Sequence, residues 1–429
     1  MLYYICYTVT NIEEKDTQET AMRYVKYIFA LMLLLCMVIC ASACSREKEA
    51  DKNSPETEGT TQSDETEEMD DITLEGMAQD VLDQMTLEEK IGQLFIVCTD
   101  SLDFSAETAV TEEMKENLDR YQPGGVIFYS FNIDNREQVT TFIRDMQEQV
   151  KIPLFIAVDE EGGKVARIAN NEKMGTTSFP TMKEIGDSGA VSQAIVLGET
   201  IGREISALGF NLDFAPVADV MSKEANTEIG ERSFGSDPEL VADMCVEVVK
   251  GLQKNNVCAT LKHFPGQGSS EEDTHKGFAD MDVTIEQLRK SDFIPFQKGI
   301  EAGVDLIMTS HVAMSEVTGN DLPSSLSSIV VHDILREELR YENLIITDAM
   351  NMKSITKFYD ADEAAVMALQ AGNDMILMPD DFTLAVSGIQ DAVDQGQITE
   401  EQIDDSVIRI LKTKIKRGII SRDSDYFKE

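Results

Sequence analysis

Apolar residues in this chain come in short continuous runs more than in strict alternation. Eight runs stand out, at residues 94–98, 125–129, 154–158, 210–214, 258–261, 305–308, 344–346 and 375–378. Between them the apolar positions recur at helical spacing, as in 136–150, 192–208, 238–255 and 286–302. A run that is apolar at every position is buried on both faces, and such strands belong to parallel sheets covered by helices. Eight strand–helix units predict a single α/β domain, a (β/α)8 barrel of the TIM type, with a doubly wound sheet as the alternative. A last helix through Ile408 and Gly418 closes the domain.

The polar residues that end these runs sharpen the picture. Asp159-Glu160-Glu161-Gly162-Gly163 follows the third run, Pro216-Val217-Ala218-Asp219 the fourth and Lys262-His263 the fifth. Ser310-His311 follows the sixth and Thr347-Asp348-Ala349-Met350 the seventh. One charged strand end means little, because strands end where they meet solvent. In a barrel, however, all strands end on the same face, where active sites are built. Five such ends on one face predict a site. The densest is the loop from Lys262 to His275, which holds two of the four histidines of the 429-residue chain and is punctuated by Pro265, Gly266 and Gly268.

The beginning of the chain reads differently. Arg23 and Lys26 precede an apolar stretch at 27–40 that ends in Ala41-Ser42-Ala43-Cys44. This is the layout of an export signal, with a basic start, an apolar middle and small residues at the cleavage point. The apolar stretch is shorter than the roughly 20 residues of a spanning helix. Small residues directly before a cysteine resemble a bacterial lipobox, which makes Cys44 the expected lipidation site; the alternatives are a non-lipidated signal or a short anchor. Residues 1–43 are therefore expected to be a signal region, with Met22 a possible true start. Residues 44–73 follow as the lipidated cysteine and an acidic linker, and 74–429 as the barrel. The linker offers almost nothing to bury, so disorder is expected.

Charge narrows the partners. A formal net charge of −42 argues against nucleic acid, whose phosphates would be repelled. Beyond Cys44, the cysteines Cys98, Cys245 and Cys258 form neither a disulfide framework nor a metal-ligand spacing.

The motifs just quoted, together with Ile229-Gly230-Glu231-Arg232-Ser233-Phe234-Gly235 and Leu212-Asp213-Phe214-Ala215, resemble glycoside hydrolase family 3. The histidine loop is similar to that of its β-N-acetylglucosaminidase branch, and the similarity runs in order along the whole globular part. The resemblance implies a retaining exo-β-N-acetylglucosaminidase acting on cell-wall fragments or chitin oligosaccharides, without cofactor or metal. It implies Asp348 as nucleophile, His275 as general acid/base and Asp273 as its orienting partner. Asp159, Arg167, Arg232, Lys262 and His263 would hold the sugar. Arg167 and Arg232 could instead be ion-pair partners of nearby acids, and His311 could line the pocket or pack beneath it. Gln267 stands where the branch usually has a third histidine. No second, C-terminal domain of the kind found in many family members is expected, so the barrel would supply every catalytic group.

Other functions remain open at this point. A metal-dependent barrel hydrolase would use closely spaced histidines, unlike the twelve residues between His263 and His275. A sugar-binding lipoprotein feeding a transporter would show two hinged lobes and no residue like Asp348. Within the family, a β-glucosidase, a β-xylosidase and a phosphorylase are the alternatives. The expected location is the extracytoplasmic face of a membrane, through a lipid anchor.

Overall fold

The computed structural model describes residues 71–427, apart from 106, 224, 271–276 and 278. The expected signal, Cys44 and most of the acidic linker lie outside the described residues, as do Asp273 and His275. Among the described residues no helix is long and apolar enough to cross a membrane.

All eight apolar runs contain strands. They are β1 (Phe95–Cys98), β2 (Gly125–Phe128), β3 (Phe155–Val158), β4 (Leu212–Asp213), β5 (Cys258–Phe264), β6 (Leu306–Thr309), β7 (Leu344–Thr347) and β8 (Ile376–Leu377). Every residue of these strands is buried, as the unbroken apolar runs require. The strands pair in parallel in the order β8-β1-β2-β3-β4-β5-β6-β7. β8 lies against β1, with Phe95 opposite Ile376 and Ile96 opposite Leu377. A bridge between Ile346 and Met375 joins β7 to the segment entering β8. The sheet therefore closes on itself, and the doubly wound alternative is set aside.

The helices bury one stripe each against the strands. Helix Pro238–Lys254 turns Val241, Met244, Cys245, Val248, Val249 and Leu252 inward and starts on the Asp237 cap with proline in its first turn. It packs against helix Val191–Ser206 at backbone contact. A Cβ on Gly251 would come 2.5 Å from the Glu199 nitrogen, so only glycine fits there.

One expected helix divides. Residues 286–302 form Ile285–Lys290 and Phe293–Glu301, separated at Ser291-Asp292. The cause is Pro295, which has no N–H to give an interior turn and is accommodated in the first turn of a new helix. The C-terminal helix, Glu400–Lys416, is longer than expected and seals the lower end of the barrel. Its Lys414 is fully buried, donates to Gln93 Oε1 at 2.8 Å and lies 5.0 Å from the Phe155 ring centre.

Candidate active site

The upper ends of the strands surround a cavity of about 470 Å3. Its lining includes Asp159, Arg167, Arg232, Lys262, His263 and Asp348. Every expected site residue that the structure describes is thus gathered in one place, from β3, β5, β7 and the loop after β4. Asp273 and His275 lie outside the described residues.

The loop after β3 is a small hairpin, Glu160–Gly162 against Val165–Ala166. Side chains alternate along an extended segment, so Asp159 and Glu161 share one side and Glu160 takes the other. Glu160 turns inward and accepts the N–H groups of Ile168 at 2.7 Å and Ala169 at 2.9 Å. Burial pushes its carboxyl up to about 7. The hairpin is pinned from β4, where Asp213 Oδ1 accepts the Glu160 N–H at 2.9 Å. Asp213 is itself fully buried, and burial pushes its carboxyl well up.

Asp159 and Glu161 form the acidic half of a salt-bridge network. Lys262 Nζ lies 2.9 Å from Asp159 Oδ1 and 2.6 Å from Glu161 Oε1. Arg232 grips Glu161 with two parallel bonds, Nε to Oε2 at 2.9 Å and Nη2 to Oε1 at 2.8 Å. Arg167 approaches Asp159 at 3.4 Å. Burial alone would raise the Glu161 carboxyl, but Arg232 and Lys262 overcome it and hold the group at about 2. Burial likewise opposes the charge on Lys262, and Asp159 and Glu161 outweigh it, so the ammonium is raised above its usual value. The result is a set of charges held in place by contacts with one another. Arg167 and Arg232 are therefore ion-paired and cavity-lining at once; the two expectations for them were not exclusive.

His263 is oriented by Asp219, the residue at the end of the fourth motif. Its Nδ1 donates to Asp219 Oδ2 at 2.7 Å, and its backbone N–H reaches Asp219 Oδ1 at 3.2 Å. That leaves Nε2 to accept from Arg232 Nη2 at 3.4 Å. The carboxylate thus selects the tautomer, and the ring presents its acceptor nitrogen toward Arg232. Asp219 also accepts the Gln267 N–H at 2.7 Å. The Gln267 side chain is buried and has no hydrogen-bond partner among the described residues.

Asp348 stands just beyond β7. Its own N–H is held by the Thr309 carbonyl at 2.8 Å, and its Oδ1 accepts from the Ala349 N–H at 2.7 Å. Burial would raise this carboxyl; His263, His311, the Ala349 N–H and Lys262 together keep it below its usual value. His311 packs beneath the cavity, 1% exposed, between Ser325 Oγ at 2.8 Å and the Ala349 carbonyl at 3.0 Å. Burial pushes its imidazole toward the neutral form, which suits a ring that donates to that carbonyl and accepts from the serine. It steadies the backbone next to Asp348. An anionic carboxylate facing fixed cations and donors can attack an electrophilic carbon and hold the polar groups around it.

Glu161, Asp219 and Tyr129 belong to this site or support it but were not among the expected residues. The Glu161 signal was present in the sequence, because it stands two positions from Asp159. Asp219 and Tyr129 become partners only through space. Among the described residues no group of acids, histidines and cysteines is arranged to hold a metal ion, and Cys98, Cys245 and Cys258 are buried free thiols.

The model of the family described as Glycosyl hydrolase family 3 N terminal domain matches residues 86–413. The chain is 32% identical over 341 residues to the β-hexosaminidase A of Pseudoalteromonas piscicida, covering 73% of this chain and 56% of that one. It is 31% identical over 301 residues to the β-hexosaminidase of Hydrogenovibrio crunogenus, covering 69% and 82% respectively. The solved structure of a family 3 β-N-acetylglucosaminidase from Paenibacillus sp. str. FPU-7 matches with a TM-score of 0.75 at 34% identity, over 79% of this chain and 64% of that one. The chain thus spans less than two thirds of the Pseudoalteromonas relative and of the Paenibacillus structure, and most of the Hydrogenovibrio relative.

Proposed function

The chain belongs to glycoside hydrolase family 3, and from that premise we propose that it is a retaining exo-β-N-acetylglucosaminidase. The observation that carries this reading is the presence of Asp348 in one cavity with the Asp159–Lys262–Glu161–Arg232 network. A volume of about 470 Å3 suits a single sugar residue and part of its neighbour. Acids and fixed donors suit a sugar because each hydroxyl both donates and accepts.

In the proposed reaction, Asp348 attacks the anomeric carbon as the glycosidic bond breaks. His275 gives a proton to the departing oxygen, and a glycosyl ester forms on Asp348. Water then loses a proton to His275, attacks the same carbon and releases Asp348 and the sugar. Asp273 would hold the imidazole in the orientation that both steps need. The residues after β3 and at the end of β5 keep the sugar still while bonds change, which is where fixed charges contribute most.

The proposed substrates are GlcNAc-terminated cell-wall fragments, with chitin oligosaccharides second. The leader pattern supports a Cys44 lipid anchor at the extracytoplasmic face of a membrane as part of the same proposal. The test is kcat/KM for matched aryl β-GlcNAc, β-glucoside and β-xyloside substrates. A pocket built to pair with the sugar's polar groups disfavours an analogue lacking one by about one to two decades. Comparable values on all three would remove the hexosaminidase assignment.

A further inference from the structure

Three of the side chains that line the cavity are methionines, Met308, Met352 and Met378. Met308 and Met352 are buried, at 2% and 7% exposure, whereas Met378 is partly exposed. Met378 follows β8 directly, and its backbone is left-handed, with φ at 47°. That conformation is uncommon for a residue carrying a Cβ and persists where the surroundings fix it. Here the Met378 N–H donates to the Ile96 carbonyl of β1 at 2.8 Å. The barrel wall thus sets where the thioether sits.

The sulfur begins a line of contacts that ends in the salt-bridge network. Tyr129 Oη donates to Met378 Sδ at 3.1 Å. The Arg167 guanidinium lies over the Tyr129 ring, 5.3 Å from its centre, and approaches Asp159 at 3.4 Å. Asp159 in turn holds Lys262. The thiols of the barrel offer an oxidant far less. Cys98, Cys245 and Cys258 are at most 2% exposed. Burial pushes the Cys98 thiol up to about 12 and raises the other two as well, so the reactive thiolate is scarce. A thioether needs no deprotonation, and the Tyr129 hydroxyl occupies one of the two lone pairs on the Met378 sulfur.

We infer that Met378 is a modification site: hydroperoxides convert its thioether to the sulfoxide, and the change weakens sugar binding by shifting Tyr129 from its place beside Arg167. The open lone pair on sulfur attacks one oxygen of the peroxide. The S–O bond forms as the O–O bond breaks, and the departing oxygen takes the proton of the transferred one and leaves as water. Sulfur is oxidised by two electrons and the peroxide is reduced. The product is polar where the parent was apolar. Its oxygen is the stronger acceptor and stands one bond beyond the sulfur, so the Tyr129 hydroxyl must move to follow it. The effect on binding rests on the hexosaminidase reading above; the modification itself does not.

The test treats wild type and Met378→Leu with hydrogen peroxide, maps sulfoxides by peptide mass spectrometry and follows kcat/KM on an aryl β-GlcNAc substrate. Each protein is compared with its own untreated sample, and leucine keeps the side-chain volume. Wild type should gain the Met378 sulfoxide before those of Met308 and Met352. In step with it, kcat/KM should fall by about 5- to 10-fold, mainly through KM, the size of one hydrogen bond. Methionine sulfoxide reductases A and B together should restore it, an arm that needs no variant. Met378→Leu should stay within about twofold of its untreated value. Met378 left unoxidised while Met308 or Met352 reacts, a Met378 sulfoxide with unchanged kcat/KM, or equal losses in both proteins would overturn the inference. If untreated wild type cleaves no β-GlcNAc substrate, the hexosaminidase reading fails, and the peptide map alone decides the modification by the same order of sulfoxides.

Discussion

Glu161 allows a quantitative test of the salt-bridge network. It is almost fully buried and holds Lys262 and Arg232 at once. Its carboxyl is lowered from 4.5 to about 2, with the two cations overcoming the effect of burial. A folded-state pKa below the unfolded one contributes stability above the unfolded value, and that stability is lost as pH falls through the folded value. The window therefore runs from pH 4.5 down to about 2. The shift corresponds to roughly 3 kcal/mol at pH 7, falling to about half of that near pH 3. Glu161→Gln keeps the shape and removes the charge, leaving Lys262 and Arg232 with less compensation, so a loss of about 3 kcal/mol is expected at pH 7. Denaturant unfolding of both proteins at pH 7 and near pH 3 measures it. The difference should shrink as pH falls. A Glu161→Gln protein of wild-type stability at pH 7, or a deficit that grows at low pH, would refute the electrostatic reasoning.

Three further expectations follow from other parts of the chain. His275→Ala should slow natural glycosides by about two or more decades and aryl glycosides with good leaving groups far less, measured as kcat/KM; equal losses would make His275 structural. Lys414 is lowered to about 7 by burial, from an ordinary 10.5. The unfolded chain binds more protons between these values, so wild-type stability should rise from pH 7 to 10, whereas Lys414→Met should remove that rise and gain about 1–3 kcal/mol at pH 7 in denaturant unfolding. Cys44→Ser should leave activity intact and shift the protein out of the membrane fraction; unchanged membrane association would point to an uncleaved anchor.

The barrel was legible because interior strands buried on both faces leave unbroken apolar runs, which a surface helix or an exposed loop would interrupt with polar residues. Strand limits were harder to see. β5 was expected to stop at Leu261 but continues to Phe264, because Lys262 and His263 are paired with Glu161, Asp159 and Asp219 and so can stay in a buried strand. β4 is shorter than its apolar run, covering Leu212–Asp213. Beside it the Asn211 side chain takes the Ile156 N–H at 2.8 Å, doing with an amide what another strand residue would do with its carbonyl. For the site, motifs at strand ends named the residues that converge from β3, β5 and β7. They gave no hint that Asp219 holds His263 or that Tyr129 donates to Met378, since those contacts depend on how loops from different strands meet.

The most direct test of the proposed mechanism is to trap the sugar on the enzyme. A 5-fluoro-β-GlcNAc fluoride slows the second step more than it slows the first, so a glycosyl enzyme accumulates and can be digested and mapped by mass spectrometry. The expected result is one added sugar on the peptide containing Asp348, absent from Asp348→Ala, which should also lose turnover on every β-GlcNAc substrate. A sugar attached to another residue, or an Asp348→Ala protein that still turns over aryl β-GlcNAc at near-normal rates, would contradict it.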